Sequence, residues 1–142
     1  MKFTYDTYSF SCGDKNPLGL RLKHVKEGDK FVTTFMPEER YQGYPGKLHG
    51  GIITTILDDV MSRCVNEMGL IGFTARLEVR FRRCIFVGQP IRAEAWVVKT
   101  RRLLIDTQSH VLTEDGKIAA EAQARFMILR DGEKLFEKLK LV

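Results

Sequence analysis

The chain has 142 residues, 44% of them hydrophobic and 29% charged, a composition typical of a single globular domain over residues 1–142. No stretch approaches the ~18 consecutive apolar residues of a membrane span, and the N-terminus lacks the apolar core of a signal peptide. We therefore expect a cytoplasmic protein with no membrane partner. The net charge of +5 is compatible with an anionic ligand.

The cysteines and histidines argue against metal or thiol chemistry. Cys12, Cys64 and Cys84 are far apart, odd in number and form no CxxC pair, which predicts reduced structural thiols. The three histidines do not cluster with cysteines or carboxylates at ligand spacing. No metal site and no cofactor is expected.

The first third of the chain predicts a hairpin followed by a loop. Alternating apolar residues over Leu20–His24 indicate a strand, the sequence Glu27-Gly28-Asp29 a turn, and Lys30–Met36 a second strand. Residues 37–47 form a loop with Tyr41 and Tyr44, which either line a binding site or cover the core.

A long helix is predicted between Gly46 and Gly69. Its apolar residues follow the three-and-four spacing of an amphipathic helix: Ile52, Ile53, Ile56, Leu57, Val60, Met61, Cys64, Val65 and Met68. At the His49-Gly50-Gly51 entry the first backbone N–H groups have no intrahelical partner. Those of Gly50 and Gly51 are candidates to polarise a carbonyl oxygen. Gly69 is placed to end the helix.

The helix carries two adjacent carboxylates in different surroundings. Asp59 has Arg63 one turn later, so we interpret it as half of an i,i+4 salt bridge. Asp58 lies at the edge of the apolar arc with no cation one turn away. Its position suits a general base or nucleophile; the alternative is a side chain that is either solvated or hydrogen-bonded to Thr54.

After the helix the pattern predicts about four antiparallel strands. They cover Gly72–Cys84, Ile91–Lys99, Leu103–Thr113 and Ile118–Leu129. In the first of these strands, apolar and polar side chains are expected to lie on opposite faces, with Thr74 on the same face as the arginines. Trp96 is expected in a core strand. Residues 133–142 form a short helix or stay loose. The fold class is therefore α+β, an antiparallel sheet of about six strands wrapped around one long central helix, with edge strands that favour dimers.

Several motifs match a known family. Leu48-His49-Gly50-Gly51 precedes Ile56-Leu57-Asp58, and late turns occur at Gly88-Gln89-Pro90-Ile91 and at Asp115-Gly116-Lys117-Ile118. In these features the chain resembles the hotdog-fold thioesterases, in particular the PaaI-like branch, over about residues 10–129. The resemblance implies a hotdog fold, a homodimer often paired into a dimer of dimers, and hydrolysis of an acyl-CoA thioester.

The resemblance also implies roles for individual residues. Asp58 becomes the base or nucleophile, the N–H of Gly50 or Gly51 binds the thioester carbonyl, and Thr74 orients the water. His49 holds the turn. Many PaaI-like enzymes have an Asn six residues before the motif His, where this chain has Gly43; the adjacent Gln42 and Tyr41 are candidate substitutes.

The substrate is expected to be a small-to-medium or aryl acyl-CoA. Arg82 and Arg83 are candidate cations for the CoA phosphates, or else part of a solvated sheet surface. The remaining expected contacts with substrate come from Gln42, Tyr44, His49 and Met61.

Other functions remain open at this point. The main alternative is a non-catalytic acyl-CoA binder or sensor, which the glycine at position 43 favours. A nucleic-acid partner is not expected, because no exposed aromatic residues interleave the basic strand. A hotdog dehydratase would need a His-plus-acid arrangement that the spacing from His49 to Asp58 does not reproduce.

Overall fold

The computed structural model describes residues 7–129, which form a six-stranded antiparallel sheet and one long helix. The strands are β1 (Val25–Glu27), β2 (Lys30–Phe35), β3 (Gly72–Phe81), β4 (Ile91–Thr100), β5 (Leu104–Leu112) and β6 (Ile118–Ile128). The helix is α1 (Gly50–Glu67), and a 3-10 turn (Glu39–Tyr41) precedes it. The strand order is β1-β2-β4-β5-β6-β3. This is the predicted hotdog arrangement.

The sheet wraps around α1 because small residues line its inner face. Ala93, Ala95, Ala120, Ala122 and Ala124 are all buried on the strands that face the helix. Their short side chains allow the helix to lie close to the sheet, and its own large apolar residues fill the space between. The helix is apolar on this face as predicted, with Ile56, Leu57, Val60 and Met61 fully buried.

The first predicted strand is wrong in position. Residues 20–24 form no strand, and β1 begins at Val25. Arg21 adopts a left-handed φ of 55°, which interrupts an extended segment. The N–H groups of Leu20 and Leu22 bond instead to the carbonyls of Phe10 (2.9 Å) and Ser11 (2.8 Å). Residues 9–24 thus form a segment, which we call the strap, that is held by its own hydrogen bonds. Leu20 and Leu22 alternate with polar residues because both leucine side chains are buried.

Strand β3 departs from the predicted alternation through a β-bulge. Thr74 pairs with Phe126 and Arg76 with Arg125, so the register shifts at the residue between them. Phe126 is fully buried against the helix, and Thr74 opposite it therefore faces the helix, away from the arginine face. Bulges are common next to functional sites because they re-aim single side chains in this way.

Trp96 also differs from expectation. Because Ala93 and Ala95 face the helix, the alternation of β4 places Trp96 on the outer face. There its ring contacts His110 at a centroid distance of 5.1 Å and Lys30 at 5.3 Å.

The segment 133–142, for which a short helix was one expectation, lies outside the described residues. Within residues 7–129, no helix combines the length and apolar character needed to cross a bilayer.

Candidate active site

The structure brings Asp58 and Thr74 into contact. The Thr74 hydroxyl on β3 donates a hydrogen bond of 2.8 Å to Oδ1 of Asp58 on α1. Asp58 is only partly exposed, and no salt bridge joins it to a cation among the described residues. The predicted alternative, a bond from Asp58 to Thr54, does not form, because the Thr54 hydroxyl donates to the carbonyl of Gly50 (2.8 Å).

The surroundings of Asp58 change its acidity. Burial disfavours the charged carboxylate and raises the pKa of Asp58 above its usual range. The hydrogen bond from Thr74 opposes this change, and the nearby charge of Asp59 adds to it. A carboxylate with a raised pKa is a stronger base than an exposed aspartate, which is a property that general-base catalysis uses.

The start of α1 is capped by His49. Its Nδ1 accepts a hydrogen bond of 2.8 Å from the Gly51 N–H. The prediction that Gly51 offers a free donor is therefore wrong, since the side chain of His49 occupies it. A Cβ at position 51 would come within 2.9 Å of that same Nδ1, so a larger residue here would displace the capping ring.

Gly50 remains as the available donor. Its N–H has no hydrogen-bond partner among the described residues. A Cβ added here would meet only the Phe81 ring, at 3.6 Å, which is ordinary contact. Packing within the protomer therefore does not demand glycine at position 50, and its N–H is left for a group from outside the helix.

A cleft of about 700 Å³ opens beside the helix start. Its residues come from the loop before α1, from the first turns of the helix and from the end of β3: Gly43, Tyr44, Lys47, Leu48, His49, Gly50, Ile53, Phe81, Arg82, Arg83, Cys84 and Ile85. Most of these are apolar or aromatic, with three cations among them. Such a lining suits a molecule with an apolar part and an anionic part.

The predicted cations in this cleft already have partners. Arg82 donates to Glu121 through Nε at 2.9 Å, and Arg83 lies 3.5 Å from a carboxylate oxygen of Asp115. Lys47, which sequence reasoning missed, lines the cleft and forms no ion pair among residues 7–129. Its place beside the helix start is set by the antiparallel bridge that it forms with Phe86. The sequence gives no local signal for that pairing.

Two predicted substrate contacts lie elsewhere. Met61 is completely buried in the core, because it belongs to the helix face that packs on the sheet. The side-chain oxygen of Gln42 accepts a hydrogen bond of 3.1 Å from the Gly46 N–H, which folds it onto its own loop. Neither residue lines the cleft, whereas Tyr44 and His49 do.

Asp58 and Gly50 lie apart within one protomer. Eight residues separate them, which corresponds to about 12 Å along the helix axis at 1.5 Å per residue. Neither Asp58 nor Thr74 lines the cleft at the helix start. The predicted base and the predicted donor are therefore not brought to one thioester by a single copy of the chain.

Asp59 does not behave as predicted. Its Oδ1 accepts a hydrogen bond of 2.6 Å from Ser11, and its Oδ2 lies 2.6 Å from Nε2 of His24. The expected partner Arg63 lies over the Phe31 ring, 6.0 Å from its centroid. Sequence reasoning missed this cluster because Ser11 and His24 are 48 and 35 residues away from Asp59.

All three cysteines are free, as predicted. Burial raises the pKa of Cys64 to about 11, so its thiol is not a nucleophile at neutral pH. Burial likewise raises the pKa of Cys12. No group of three or more potential metal ligands occurs in the part of the chain that the structure describes.

Comparison with known proteins identifies the class. The chain is similar to a thioesterase superfamily protein at 25% identity and a TM-score of 0.79, covering 84% of this chain and 62% of that one. It is similar to the E. coli PaaI protein from the phenylacetic acid degradation operon, at 17% identity and a TM-score of 0.73, over 78% and 80% of the chains.

A third structure is a hypothetical thioesterase protein of Streptococcus pneumoniae with coenzyme A. It shares 18% identity and a TM-score of 0.71, over 75% of this chain and 87% of that one. Two further structures of the pneumococcal protein carry an Asp-to-Ala and a Thr-to-Ala replacement, at positions 16 residues apart.

Residues 45–120, more than half of the chain, match the thioesterase superfamily. The chain belongs to this superfamily, which confirms the resemblance to the hotdog-fold thioesterases, and it shares the fold of the PaaI protein.

Proposed function

We propose that the protein hydrolyses acyl-CoA thioesters, with Asp58 as general base or nucleophile and the Gly50 N–H as oxyanion donor. The observation that carries this proposal is the state of Asp58: a partly buried carboxylate, without a cation partner among residues 7–129, held by Thr74. A carboxylate that is not paired with a cation remains basic enough to deprotonate a water molecule, or nucleophilic enough to attack a carbonyl carbon.

The partner of Asp58 supports the same role. Thr74 lies 16 residues after Asp58, the same separation as the aspartate and threonine replaced in the pneumococcal thioesterase structures. With one hydrogen bond to the carboxylate, the Thr74 hydroxyl still has acceptor capacity for a water molecule. In this proposal Thr74 orients both the base and the water.

The site is proposed to form between two copies of the chain. The separation of about 12 Å between Asp58 and Gly50 along one helix is too long for one thioester group. Strand β3 is an edge of the sheet, and its Phe73 and Phe81 are each 55% exposed. Pairing of β3 with β3 of a second copy would cover this edge and bring Gly50 of one copy toward Asp58 of the other. A pair of such dimers remains our expectation for the assembly.

The cleft supports coenzyme A as the leaving group. Lys47, Arg82 and Arg83 supply positive charge for phosphates at its rim. Because Arg82 and Arg83 are already paired with carboxylates, we expect Lys47 to contribute more to the phosphate contact than either arginine. The apolar side chains of Leu48, Phe81 and Ile85 favour a small-to-medium or aryl acyl group.

The direct test is the substitution Asp58→Asn, assayed by thiol release from a panel of acyl-CoA chain lengths and aryl groups. We expect kcat/KM to fall by about 10²- to 10⁴-fold, the usual contribution of a general base, with Tm retained. Asp29→Asn, an exposed aspartate in the turn after β1, is the matched control and keeps full activity. Full activity in Asp58→Asn would remove this residue from the mechanism.

A second candidate function is binding of acyl-CoA without hydrolysis. It is favoured by Gly43, which lines the cleft where many PaaI-like enzymes have an Asn, and by the engagement of the Gln42 oxygen with Gly46. Calorimetric titration with acyl-CoA, run beside the thiol-release assay, separates the two functions. Saturable binding without release of free CoA would show that the protein binds acyl-CoA without hydrolysing it.

A further inference from the structure

The chain contains a second polar cluster that the proposed reaction does not use directly. Ser11 and His24 on the strap each contact one carboxylate oxygen of Asp59, both at 2.6 Å. The side chains of His24 and Asp59 are 3% and 10% exposed. Hydrogen bonds to a buried charge are strong, and both groups are costly to leave unpaired. The cluster therefore holds the strap firmly against α1.

The arrangement is not a hydrolytic triad. In such a triad the imidazole lies between the serine and the carboxylate and takes the serine proton. Here the carboxylate of Asp59 lies between Ser11 and His24, each of which bonds to a different oxygen. Among the described residues, the base that Ser11 contacts is the Asp59 carboxylate itself, which accepts its hydrogen bond.

We propose that Ser11, His24 and Asp59 form a buried clamp that fixes the rotation of α1 and thereby positions Asp58 for the proposed reaction. Successive residues of a helix point about 100° apart. The clamp holds Asp59 on the strap side, so Asp58 turns toward β3, where Thr74 bonds it. Asp59 and His24 are positioning residues in this proposal, which rests on the proposed function.

The clamp also acts electrostatically. Nδ1 of His24 is buried without a hydrogen-bond partner among the described residues. Nε2 is therefore the ring nitrogen through which His24 binds, and it donates the hydrogen bond that Oδ2 of Asp59 accepts. Asp59 is adjacent to Asp58 on α1, and its charge contributes to the raised pKa of Asp58.

Other titratable groups surround the clamp. The Cys12 thiol on the strap is within electrostatic range of both Asp59 and Arg63, and Arg63 lies one turn beyond Asp59 on the same helix. From β3 the group that faces Asp58 is the uncharged hydroxyl of Thr74. Asp59 is thus the neighbouring charge through which the clamp affects Asp58.

The test is the titration of the Asp58 carboxyl carbon by NMR in selectively labelled protein, which needs no catalytic activity. In Asp59→Asn the neighbouring charge is lost, and we expect the pKa of Asp58 to fall. In Ser11→Ala one of the two contacts that hold Asp59 on the strap side is lost, so we expect Asp58 to lose its hydrogen bond from Thr74 and its pKa to rise. Asp106→Asn, which removes a carboxylate paired with Arg125 on the outer face, leaves the titration unchanged.

Ser11→Ala separates the clamp from a purely structural role, which would change Tm in this variant without moving the Asp58 titration. If Asp59→Asn does not fold, the Asp58 titration in Ser11→Ala tests the clamp by itself. An unchanged Asp58 titration in the folded variants overturns the clamp.

In the kinetic assay we expect His24→Leu to lower kcat several-fold at similar KM, and His24→Gln, which retains a donor, to restore it. If the wild-type protein releases no thiol from any acyl-CoA, the proposed function fails and the NMR result still decides the clamp.

Discussion

At the scale of single residues, the chemistry depends on how Asp58 is solvated. Burial raises its pKa, and the hydrogen bond from Thr74 limits the rise. Because the folded pKa lies above the unfolded one, the favourable contribution of protonated Asp58 to folding is present at low pH. It is lost as the pH rises through the folded pKa. At neutral pH the ionised carboxylate thus costs stability, and this is typical of a group kept for function.

The Thr74 hydroxyl gives a prediction about pH dependence. Thr74→Val removes a hydrogen bond to the ionised form of Asp58, so the pKa of Asp58 rises further. Since the base must be ionised to act, we expect the acid limb of the kcat/KM profile to move to higher pH. Thr74→Ser, which keeps the donor, retains the wild-type profile. An acid limb that stays in place, or moves to lower pH, would contradict this account of Asp58.

At the scale of elements, the beginning of α1 is arranged to leave one donor available. His49 caps the helix through Gly51, and the following N–H groups of Ile52 and Ile53 bond to the carbonyl of His49. Only Gly50 at the first helical position is left without a partner in this described turn. Helix N-termini attract negative charge through such groups, which makes the position suitable for a developing oxyanion.

The donor can be tested by substitutions at position 50. Proline is tolerated at the first position of a helix, and His49 already has the extended backbone (φ −62°, ψ 133°) that proline requires before it. Gly50→Pro removes the N–H, and we expect kcat to fall by about 10²- to 10³-fold, as for other single oxyanion donors.

Gly50→Ala is the matched control, because it keeps the N–H and its Cβ meets only the Phe81 ring at 3.6 Å. Steady-state kinetics, with circular dichroism to verify helix content, provide the measurement. Equal loss of activity in Gly50→Ala and Gly50→Pro would show that space at this position, and not the donor, is required.

At the scale of the whole molecule, the sheet leaves β3 as an edge with exposed aromatic side chains. The other edge is the three-residue strand β1, which is too short to offer a long row of unpaired backbone groups. Strand β3 has ten residues, and it follows directly from the helix that carries Asp58. Dimerisation through β3 would therefore complete both the sheet and the proposed site in a single step.

The shared site is testable by mixing two inactive variants. When Asp58→Asn and Gly50→Pro chains are coexpressed, each hybrid dimer contains one site with both residues intact and one site with neither. With random pairing, we expect about a quarter of the wild-type rate in two-fold dimers. Thiol release by the purified mixture, against each variant alone, is the measurement. A mixture as inactive as its parents would indicate that each site is built from one copy.

Most of the fold was predictable from the sequence because its signals are local. The spacing of apolar residues specified α1, and alternation or turn residues specified β2 to β6 to within a few residues. The Gly-rich entry and the isolated carboxylate of Asp58 are also local features. Hydrophobic periodicity reports which face of a segment is buried, and this is sufficient to define a helix wrapped by a sheet.

The tertiary structure alone decided which polar groups meet. The bulge in β3 turned Thr74 toward Asp58, a contact across 16 residues, and the folding of the strap brought Ser11 and His24 to Asp59. The His49 ring removed Gly51 from the set of available donors. Periodicity carries no information on these pairings, because hydrogen-bond partners distant in sequence are selected only when the packed core brings their backbones together.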